Sequence, residues 1–263
     1  MSLPAADPGT YVLVTGASSG IGAEMAKLLA ERGHNLMIVA RRRERLDELG
    51  QEIETEHGVD VTVHAADLAS ADDRTALLTA IDEDELDLVG VCNCAGIGNF
   101  GAFLELDLQK EIGMLDINVT ALLELNHALA PGMVARGEGA ILNIASLAAF
   151  QPTPRLATYG ATKAFVQSFS EAFHEELRGT GVSCTVLCPG PVETEWAELA
   201  GAQNVMIGPM KIPADQVAKA GVDGMEAGKR SVLPGVVTRA LGEVNRHMPR
   251  TVLLPLIKRI YSR

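Results

Sequence analysis

Near its start the chain reads Tyr11-Val-Leu-Val-Thr-Gly-Ala-Ser-Ser-Gly-Ile-Gly22, which combines a strand, a glycine turn and the beginning of a helix. Residues 11–14 predict a short buried strand, and the amphipathic pattern after the glycines predicts a helix to about Arg32. Glycines 16, 20 and 22 let the backbone turn tightly and approach a pyrophosphate, which would lie on the positive helix N-terminus. A glycine turn with nothing bound is the alternative, but this position between strand and helix favours a dinucleotide site.

Strand and helix patterns then alternate along the chain. Five further strand patterns lie at residues 35–40, 59–64, 88–92, 140–145 and 183–187. Helical patterns lie at about 43–57, 71–83, 103–136 and 158–178. Such alternation builds a parallel sheet that is covered on both faces. We therefore predict an α/β protein with a single Rossmann-type domain over residues 1–263, whose doubly wound parallel sheet has about seven strands with helices on both faces.

The residues that follow the second strand pattern indicate which dinucleotide binds. A carboxylate at this point would bind the ribose 2′-hydroxyl of NAD, but the chain has Arg41-Arg42-Arg43. Guanidinium groups pair bidentately with phosphate oxygens, so this sequence suits the 2′-phosphate of NADP. The alternative is a solvated helix start. We favour NADPH over NADH.

A second stretch, from Ser146 to Lys163, holds a hydroxyl, a phenol and an ammonium in a fixed order. Tyr159 and Lys163 are four residues apart on a predicted helix and therefore share one face. A nearby cation would lower the pKa of the phenol from its usual ~10 towards the working range of an acid or base. Ser146, brought back by the intervening loop, would hydrogen-bond the same substrate oxygen.

With these motifs in order, the chain resembles the short-chain dehydrogenase/reductase family from Tyr11 to about Leu233. The matching motifs are Thr-Gly-x-x-x-Gly-Ile-Gly at 15–22, Asp67, Asn-x-Ala-Gly at 93–96, Asn118, Ser146, Tyr159, Lys163 and Pro-Gly-x-x-x-Thr at 189–194. Cys94 departs from the pattern, because the family usually has a second Asn there. That motif mainly supports the sheet, so we expect activity to survive the substitution.

The resemblance implies four catalytic residues, Asn118, Ser146, Tyr159 and Lys163. Tyr159 would be the general acid/base, Lys163 would bind the nicotinamide ribose, Ser146 would position the carbonyl, and Asn118 would hold a water that links Lys163 to solvent. The implied cofactor-binding residues, besides Tyr159 and Lys163, are Gly16, Ser18, Ser19, Gly20, Ile21, Gly22, Arg41, Arg42, Asp67, Leu68, Asn93, Ala95, Gly96, Pro189, Gly190, Val192 and Thr194.

The implied reaction is hydride transfer between NADP(H) and a carbonyl/alcohol pair. Two alternatives are a catalytically idle NADP(H)-binding redox sensor and a dehydratase or epimerase that uses the same Tyr and Lys. The intact Ser146, Tyr159 and Lys163 argue against the sensor. Dehydratases and epimerases of this kind are usually longer and have a different glycine spacing.

Two segments bear on the substrate. By resemblance, residues 195–225 contain the substrate lid, and the Trp and two Met of residues 195–210 suggest a lipophilic substrate such as a 3-oxoacyl, steroid or similar ketone. An amphipathic helix packed on the core is the alternative.

The C-terminal extension, residues 240–263, is apolar and basic. It could dock on a membrane surface or on an apolar substrate mouth, but we favour packing on its own acidic domain or on a sister subunit.

Composition limits the partners and the location. The net charge of −12 argues against a nucleic-acid partner, which requires a basic surface. No apolar run reaches the ~20 residues of a membrane span, and residues 1–10 lack a secretion signal, so we predict a cytoplasmic protein. The four cysteines lie in apolar strand patterns and are interpreted as reduced core residues, with no metal site. By resemblance, a homodimer or homotetramer is expected.

Overall fold

A parallel seven-stranded sheet, of order β3-β2-β1-β4-β5-β6-β7, forms the centre of the computed structural model, which describes residues 3–203 and 211–261. The strands are β1 Thr10–Thr15, β2 Asn35–Ala40, β3 Val61–Ala65, β4 Asp87–Asn93, β5 Gly139–Ile144, β6 Val182–Leu187 and β7 Ser231–Val232. The predicted doubly wound sheet of about seven strands is confirmed. The two residues of β7 are too few to produce a strand pattern that the sequence could reveal.

Helices follow most strands. They are α1 Gly20–Glu31, α2 Arg43–His57, α3 Ala71–Glu83, α4 Leu108–Leu115, α5 Ala121–Arg136, α6 Ala157–Glu176, α7 Trp196–Leu199, α8 Ala214–Glu226, α9 Val236–His247 and α10 Arg250–Tyr261. Local capping sets some of these bounds. The Ser70 hydroxyl accepts a hydrogen bond from the backbone N–H of Asp73 and so starts α3 where the sequence predicts it.

Two apolar layers cover the sheet, one on each face. Successive side chains of a strand point to opposite faces, so Val12 and Val14 enter one layer and Leu13 enters the other. The first layer is completed by α1, α2 and α8, with Met25 and Met225 fully buried. The second layer is completed by α3, α5 and the end of α6. The strands are therefore buried on both sides, which explains their continuous apolar sequences.

The single long helix predicted over residues 103–136 is divided into several segments in the structure. The helix predicted over residues 103–136 is a 3-10 turn at Phe103–Glu105, then α4, a π-helical segment at Asp116–Thr120 and α5. The Asp107 carboxylate accepts from the N–H of Gln109 and starts α4 there. The extra residue of the π turn directs Asn118 into the protein, and π turns of this kind are frequent at functional sites.

The segments assigned to the substrate differ in their placement. In the predicted lid region, α8 packs in the core with Val217, Ala218 and Val222 fully buried. Among the described residues of that region, Trp196 and Leu199 of α7 line the cavity. The two methionines of that prediction, Met206 and Met210, and the last two residues of the chain lie outside the described residues. No helix in the described ranges has the length and apolarity that a bilayer span requires.

Candidate active site

A cavity of about 600 Å³ lies at the carboxyl ends of β1, β4 and β5, where the strand order changes direction. This is the position at which doubly wound sheets bind ligands. Every site residue predicted from the sequence lines this cavity except Asn93 and Asn118. Residues from 16 to 194 are thus brought together around one space.

The glycine turn after β1 is packed too closely for side chains. Gly16 has φ +67°, and a Cβ on it would lie 2.8 Å from the backbone nitrogen of Ala95. A Cβ on Gly22 would lie 2.5 Å from the carbonyl oxygen of Gly16. The Thr15 hydroxyl accepts hydrogen bonds from the N–H groups of Cys94 (3.0 Å) and Ala95 (3.1 Å). The loops after β1 and β4 therefore form one rigid wall of the cavity.

Arg42 crosses the glycine turn and is tied to it. Its guanidinium donates to the Ser18 hydroxyl (2.9 Å), to the Ser19 hydroxyl (2.8 Å) and to Glu195 Oε2 (2.9 Å). Arg45 also donates to Glu195, at 2.9 Å and 3.0 Å. Sequence reasoning placed Glu195 in the lid and gave no sign of this contact, because about 150 residues separate it from the arginines.

The side chain of Tyr159, predicted to be the acid/base group, is less acidic than the sequence suggested. The Tyr159 ring is half-buried, and loss of solvent around the phenol raises its pKa to about 12, although a hydrogen bond with Ser146 acts in the opposite direction. Lys163 does share the Tyr159 face, but its Nζ lies 5.9 Å from the ring centroid. The predicted decrease in the pKa of the phenol is therefore wrong for this structure, because burial is the largest cause of the shift and raises the pKa.

Lys163 is itself perturbed by burial. Its ammonium donates to the Ile144 carbonyl (2.8 Å), and its side chain lies almost entirely inside the protein. Burial lowers the pKa of Lys163 to about 8, while the neighbouring Cys188 and Cys94 act in the opposite direction. A buried amine with one carbonyl partner loses more hydration than it regains.

The loop between Ser146 and Tyr159 is held in shape by its own backbone. The Ser146 hydroxyl accepts from the N–H of Ala148 (3.1 Å), and the Thr153 hydroxyl donates to the Leu156 carbonyl (2.9 Å). Gly160 packs so closely on Thr153 that a side chain at residue 160 would collide with the Thr153 hydroxyl. This packing turns the chain back and places Ser146 beside Tyr159.

Asn118 lies behind the cavity wall and supports it. It accepts from the Ile97 N–H (2.9 Å) and donates to the Ile97 carbonyl and to the Thr162 hydroxyl, both at 3.0 Å. A Cβ on Gly96 would lie 3.2 Å from Lys163 Nζ and 3.4 Å from Asn118 Oδ1, so Gly96 separates the two groups. Asn118 therefore joins the loop after β4 to α6, the helix that carries Tyr159 and Lys163.

Asn93 does not line the cleft as the sequence predicted. Its side chain is buried and donates to Asn126 Oδ1 (3.0 Å) and to Asn143 Oδ1 (2.8 Å). Asn143 in turn donates to the Ser170 hydroxyl (3.0 Å). These hydrogen bonds connect β4, β5, α5 and α6, although Asn93 Oδ1 has no hydrogen-bond partner among the described residues. Cys94 takes the place beside the cavity instead.

The far end of the cavity is apolar. Trp196 packs on Tyr159 with ring centroids 4.8 Å apart, and a Cβ on Gly98 would lie 2.3 Å from the indole. Leu253 and Ile257 of α10 are 1% and 6% exposed and line the same cavity. The helix α10 thus lies over the mouth of the site on its own domain, which agrees with the substrate-mouth alternative and with the favoured packing on its own domain.

One polar pair lies in this apolar end and was missed by the sequence reasoning. Asn245 of α9 donates to Gln151 Oε1 at 2.6 Å, and both residues line the cavity. They are 94 residues apart. No motif contains either residue, so only the tertiary packing brings them to notice.

Comparison with known proteins gives consistent matches. A family model for short chain dehydrogenases matches residues 10–204. The very-long-chain 3-oxoacyl-CoA reductase of Anas platyrhynchos is 35% identical over 196 residues, which are 73% of this chain and 62% of that protein. The chain thus spans less than two thirds of the length of that relative.

Two solved structures extend the match over nearly the whole chain. The short-chain dehydrogenase from Sphingobium yanoikuyae in complex with NADPH is 32% identical, with a TM-score of 0.81 over 92% of this chain and 97% of that one. The bulky-bulky ketone specific alcohol dehydrogenase from Comamonas testosteroni is 30% identical, with a TM-score of 0.79 over 95% of each chain.

Proposed function

Because this chain belongs to the short-chain dehydrogenase/reductase family, we propose that it is an NADP(H)-dependent oxidoreductase that interconverts a lipophilic ketone and its alcohol. The observation that carries this proposal is the single cavity that runs from the glycine turn, past Ser146, Tyr159 and Lys163, to an apolar end at α10. Such a cavity joins a cofactor site to a site for an apolar substrate.

The residues at the glycine turn fit a dinucleotide phosphate. Glycines 16 and 22 leave no room for side chains, so backbone N–H groups at the start of α1 can approach an anion directly. Arg42, above the turn, supplies the bidentate donor that a 2′-phosphate needs. The NADPH complex of the Sphingobium yanoikuyae relative supports this choice. A bound nicotinamide dinucleotide supplies or accepts the hydride.

The chain's own groups handle the proton. A phenol with a raised pKa stays protonated through the neutral range, so Tyr159 donates to the strongly basic alkoxide oxygen that forms on reduction. Ser146 lies close enough to Tyr159 to lower its pKa, so both hydroxyls can face one substrate oxygen. Lys163, charged below about pH 8, would hold the ribose at the nicotinamide end of the dinucleotide. Asn118 keeps the loop after β4 against α6 while this occurs.

The substrate end favours a long or bulky ketone. The cavity surface at this end is mostly apolar and includes Trp196, Leu253 and Ile257. A hydrocarbon group would bind favourably here, because its apolar area is removed from water. The relatives support the same class, since one is a very-long-chain 3-oxoacyl-CoA reductase and another is specific for bulky-bulky ketones. The idle sensor remains the alternative that the experiment must exclude.

The test is oxidation of NADPH and NADH against 3-oxoacyl thioesters of increasing length, steroid ketones and bulky aryl ketones. We expect NADPH-dependent turnover that improves with chain length or bulk and that Tyr159→Phe reduces by about 10²-fold or more. Tight dinucleotide binding without turnover on any ketone would instead support the sensor.

We also propose a homo-oligomer with a cytoplasmic location. Leu108, Ile112 and Leu115 of α4 expose apolar surface, as does Phe165 of α6. A second copy of the chain would cover this surface. The location stays a prediction from the sequence.

A further inference from the structure

Three consecutive residues after β6 contact three different parts of the site. The Thr194 methyl packs at the glycine turn, 3.0 Å from where a Cβ on Gly20 would lie. The Glu195 carboxylate binds Arg42 and Arg45. The Trp196 ring packs on Tyr159. Residues 194–196, here called the strap, therefore connect the proposed 2′-phosphate end of the cavity to the acid/base group.

Glu195 occupies the donors that a 2′-phosphate would use. One of its oxygens accepts from Arg42 at 2.9 Å, and both accept from Arg45. Hydrogen bonds from Arg42 and Arg45 lower the pKa of the Glu195 carboxyl, so the side chain is ionised at neutral pH. The same Arg42 guanidinium also holds Ser18 and Ser19 and cannot turn away without releasing the glycine turn.

We propose that Glu195 sets the cofactor preference of this protein by competing with the 2′-phosphate for Arg42 and Arg45. The inference rests on the proposed function, because it presumes that a dinucleotide binds at the glycine turn. A phosphomonoester carries up to about two negative charges and binds bidentately to the same guanidinium groups. Two anions at one guanidinium repel each other, so the 2′-phosphate must displace Glu195 or bind beside it at a cost.

The cost falls on one cofactor only. NADH has a hydroxyl in place of the phosphate and can bind with both Glu195 ion pairs intact. NADPH gains a phosphate contact but loses these pairs. Each pair is about 40% exposed at its carboxylate, and exposed pairs are individually weak. Glu195 therefore narrows the preference for NADPH without reversing it.

Displacement has a second consequence at the other end of the strap. If the Glu195 carboxylate leaves Arg42 and Arg45, the adjacent residue Trp196 would shift its ring on Tyr159. Trp196 is the chain's one tryptophan, so its fluorescence reports on this movement without any activity measurement.

The experiment measures dissociation constants by calorimetry for adenosine 2′,5′-bisphosphate, 5′-AMP, NADPH and NADH, with wild type, Glu195→Gln and Glu198→Gln. Glu198 lies in α7, three residues after Glu195, and its carboxylate has no ion pair among the described residues, so it is the matched control for charge. We expect Glu195→Gln to strengthen binding of both 2′-phosphate ligands by about 3- to 10-fold at low salt, and to change 5′-AMP and NADH less than about twofold.

The pattern across ligands separates the outcomes. A selective gain that shrinks at high salt and is absent in Glu198→Gln supports the inference, as does a change in Trp196 emission caused by adenosine 2′,5′-bisphosphate but not by 5′-AMP. Unchanged or weakened binding of the 2′-phosphate ligands to Glu195→Gln overturns it. Failure of wild type to bind any of the four ligands refutes the proposed function instead.

Discussion

Lys163 is a buried charged side chain of the candidate site, and its burial has a predictable effect on stability. Its ammonium has one hydrogen-bond partner, the Ile144 carbonyl, in a place that water scarcely reaches. A group like this costs folding free energy while it is charged. Natural chains retain such residues at functional sites, so its presence marks the site as clearly as the motif does.

The first prediction concerns the pH dependence of stability. Lys163 has a pKa of about 8 in the folded protein against its ordinary 10.5. Between these values the unfolded chain binds more protons, so the Lys163 contribution to the free energy of unfolding increases with pH. The full interval corresponds to about 3 kcal/mol. Urea unfolding of wild type and Lys163→Met between pH 7 and 9.5 should therefore show the variant's relative stability falling as pH rises above about 8.

The comparison with a variant is necessary because the buried cysteines also titrate. Burial raises the pKa of Cys92, Cys184 and Cys188 to about 12, which makes stability fall at alkaline pH in wild type and variant alike. The difference between the two proteins removes the contribution of Cys92 and Cys184, whose pKa values do not depend on Lys163. Lys110→Met, on the exposed surface of α4, is the control for loss of a lysine outside the cavity. A flat difference for Lys163→Met would contradict the lowered pKa.

At the level of elements, the loops and helix ends around the cavity decide the chemistry. The π segment turns Asn118 inward, and the strap joins Arg42 to Tyr159 through three residues. The helix α10 shows the same principle. Its Leu253 and Ile257 are buried against the cavity, while Val252 on the same helix is 57% exposed. One side of α10 thus lines the cavity, and the other side faces solvent.

The second prediction tests α10 as the substrate wall. Leu253→Ala removes buried hydrocarbon, and such a change costs about 2–5 kcal/mol of stability in a rigid core, with the low end expected at this edge helix. We expect kcat/KM for a bulky or long-chain ketone to fall about tenfold or more, because the loss of even one methylene contact costs about 1–3 kcal/mol. A small ketone should change less than about twofold.

Val252→Ala is the matched control for this test, since it trims an exposed residue next in sequence to Leu253. It should leave both substrates and the melting temperature nearly unchanged. Equal losses for bulky and small ketones in Leu253→Ala would show that α10 supports the fold without shaping the substrate site.

Across the whole molecule, charge and apolar surface are unevenly distributed. The chain carries a net charge of −12, yet residues 227–263 hold eight Lys and Arg and one acid, Glu243. Exposed apolar side chains concentrate on α4 and on α9–α10. Large exposed apolar patches mark interaction surfaces. The α4 patch is the one that lies beside α6, the helix of Tyr159 and Lys163.

The third prediction assigns the α4 patch to a second copy of this chain. The double substitution Leu108→Asp and Ile112→Asp places charges on side chains that are 61% and 41% exposed, so the monomer should still fold. Light scattering after size exclusion should show a dimer or tetramer for wild type and a lower mass for the variant. Val236→Asp, 81% exposed on α9, should leave the mass unchanged. A wild-type monomer would refute the assignment.

The sequence by itself determined the parallel α/β fold, the glycine turn and the Ser146, Tyr159 and Lys163 set. These features depend on short-range patterns: strand and helix periods, glycines at fixed spacing, and a four-residue helical separation. Helix bounds set by local caps, such as the start of α3, were predicted for the same reason. The continuous helix over residues 103–136 was wrong, because the helical period continues through a π turn and does not reveal it.

Only the tertiary structure decided which side chains face one another and how far water is excluded from them. It placed Asn93 in a buried amide network, Glu195 on Arg42, and α10 over the cavity. It also raised the pKa of Tyr159 where the sequence predicted a decrease. Contacts between residues 50 to 150 positions apart, and the desolvation that packing causes, depend on the arrangement of whole elements, which no local pattern contains.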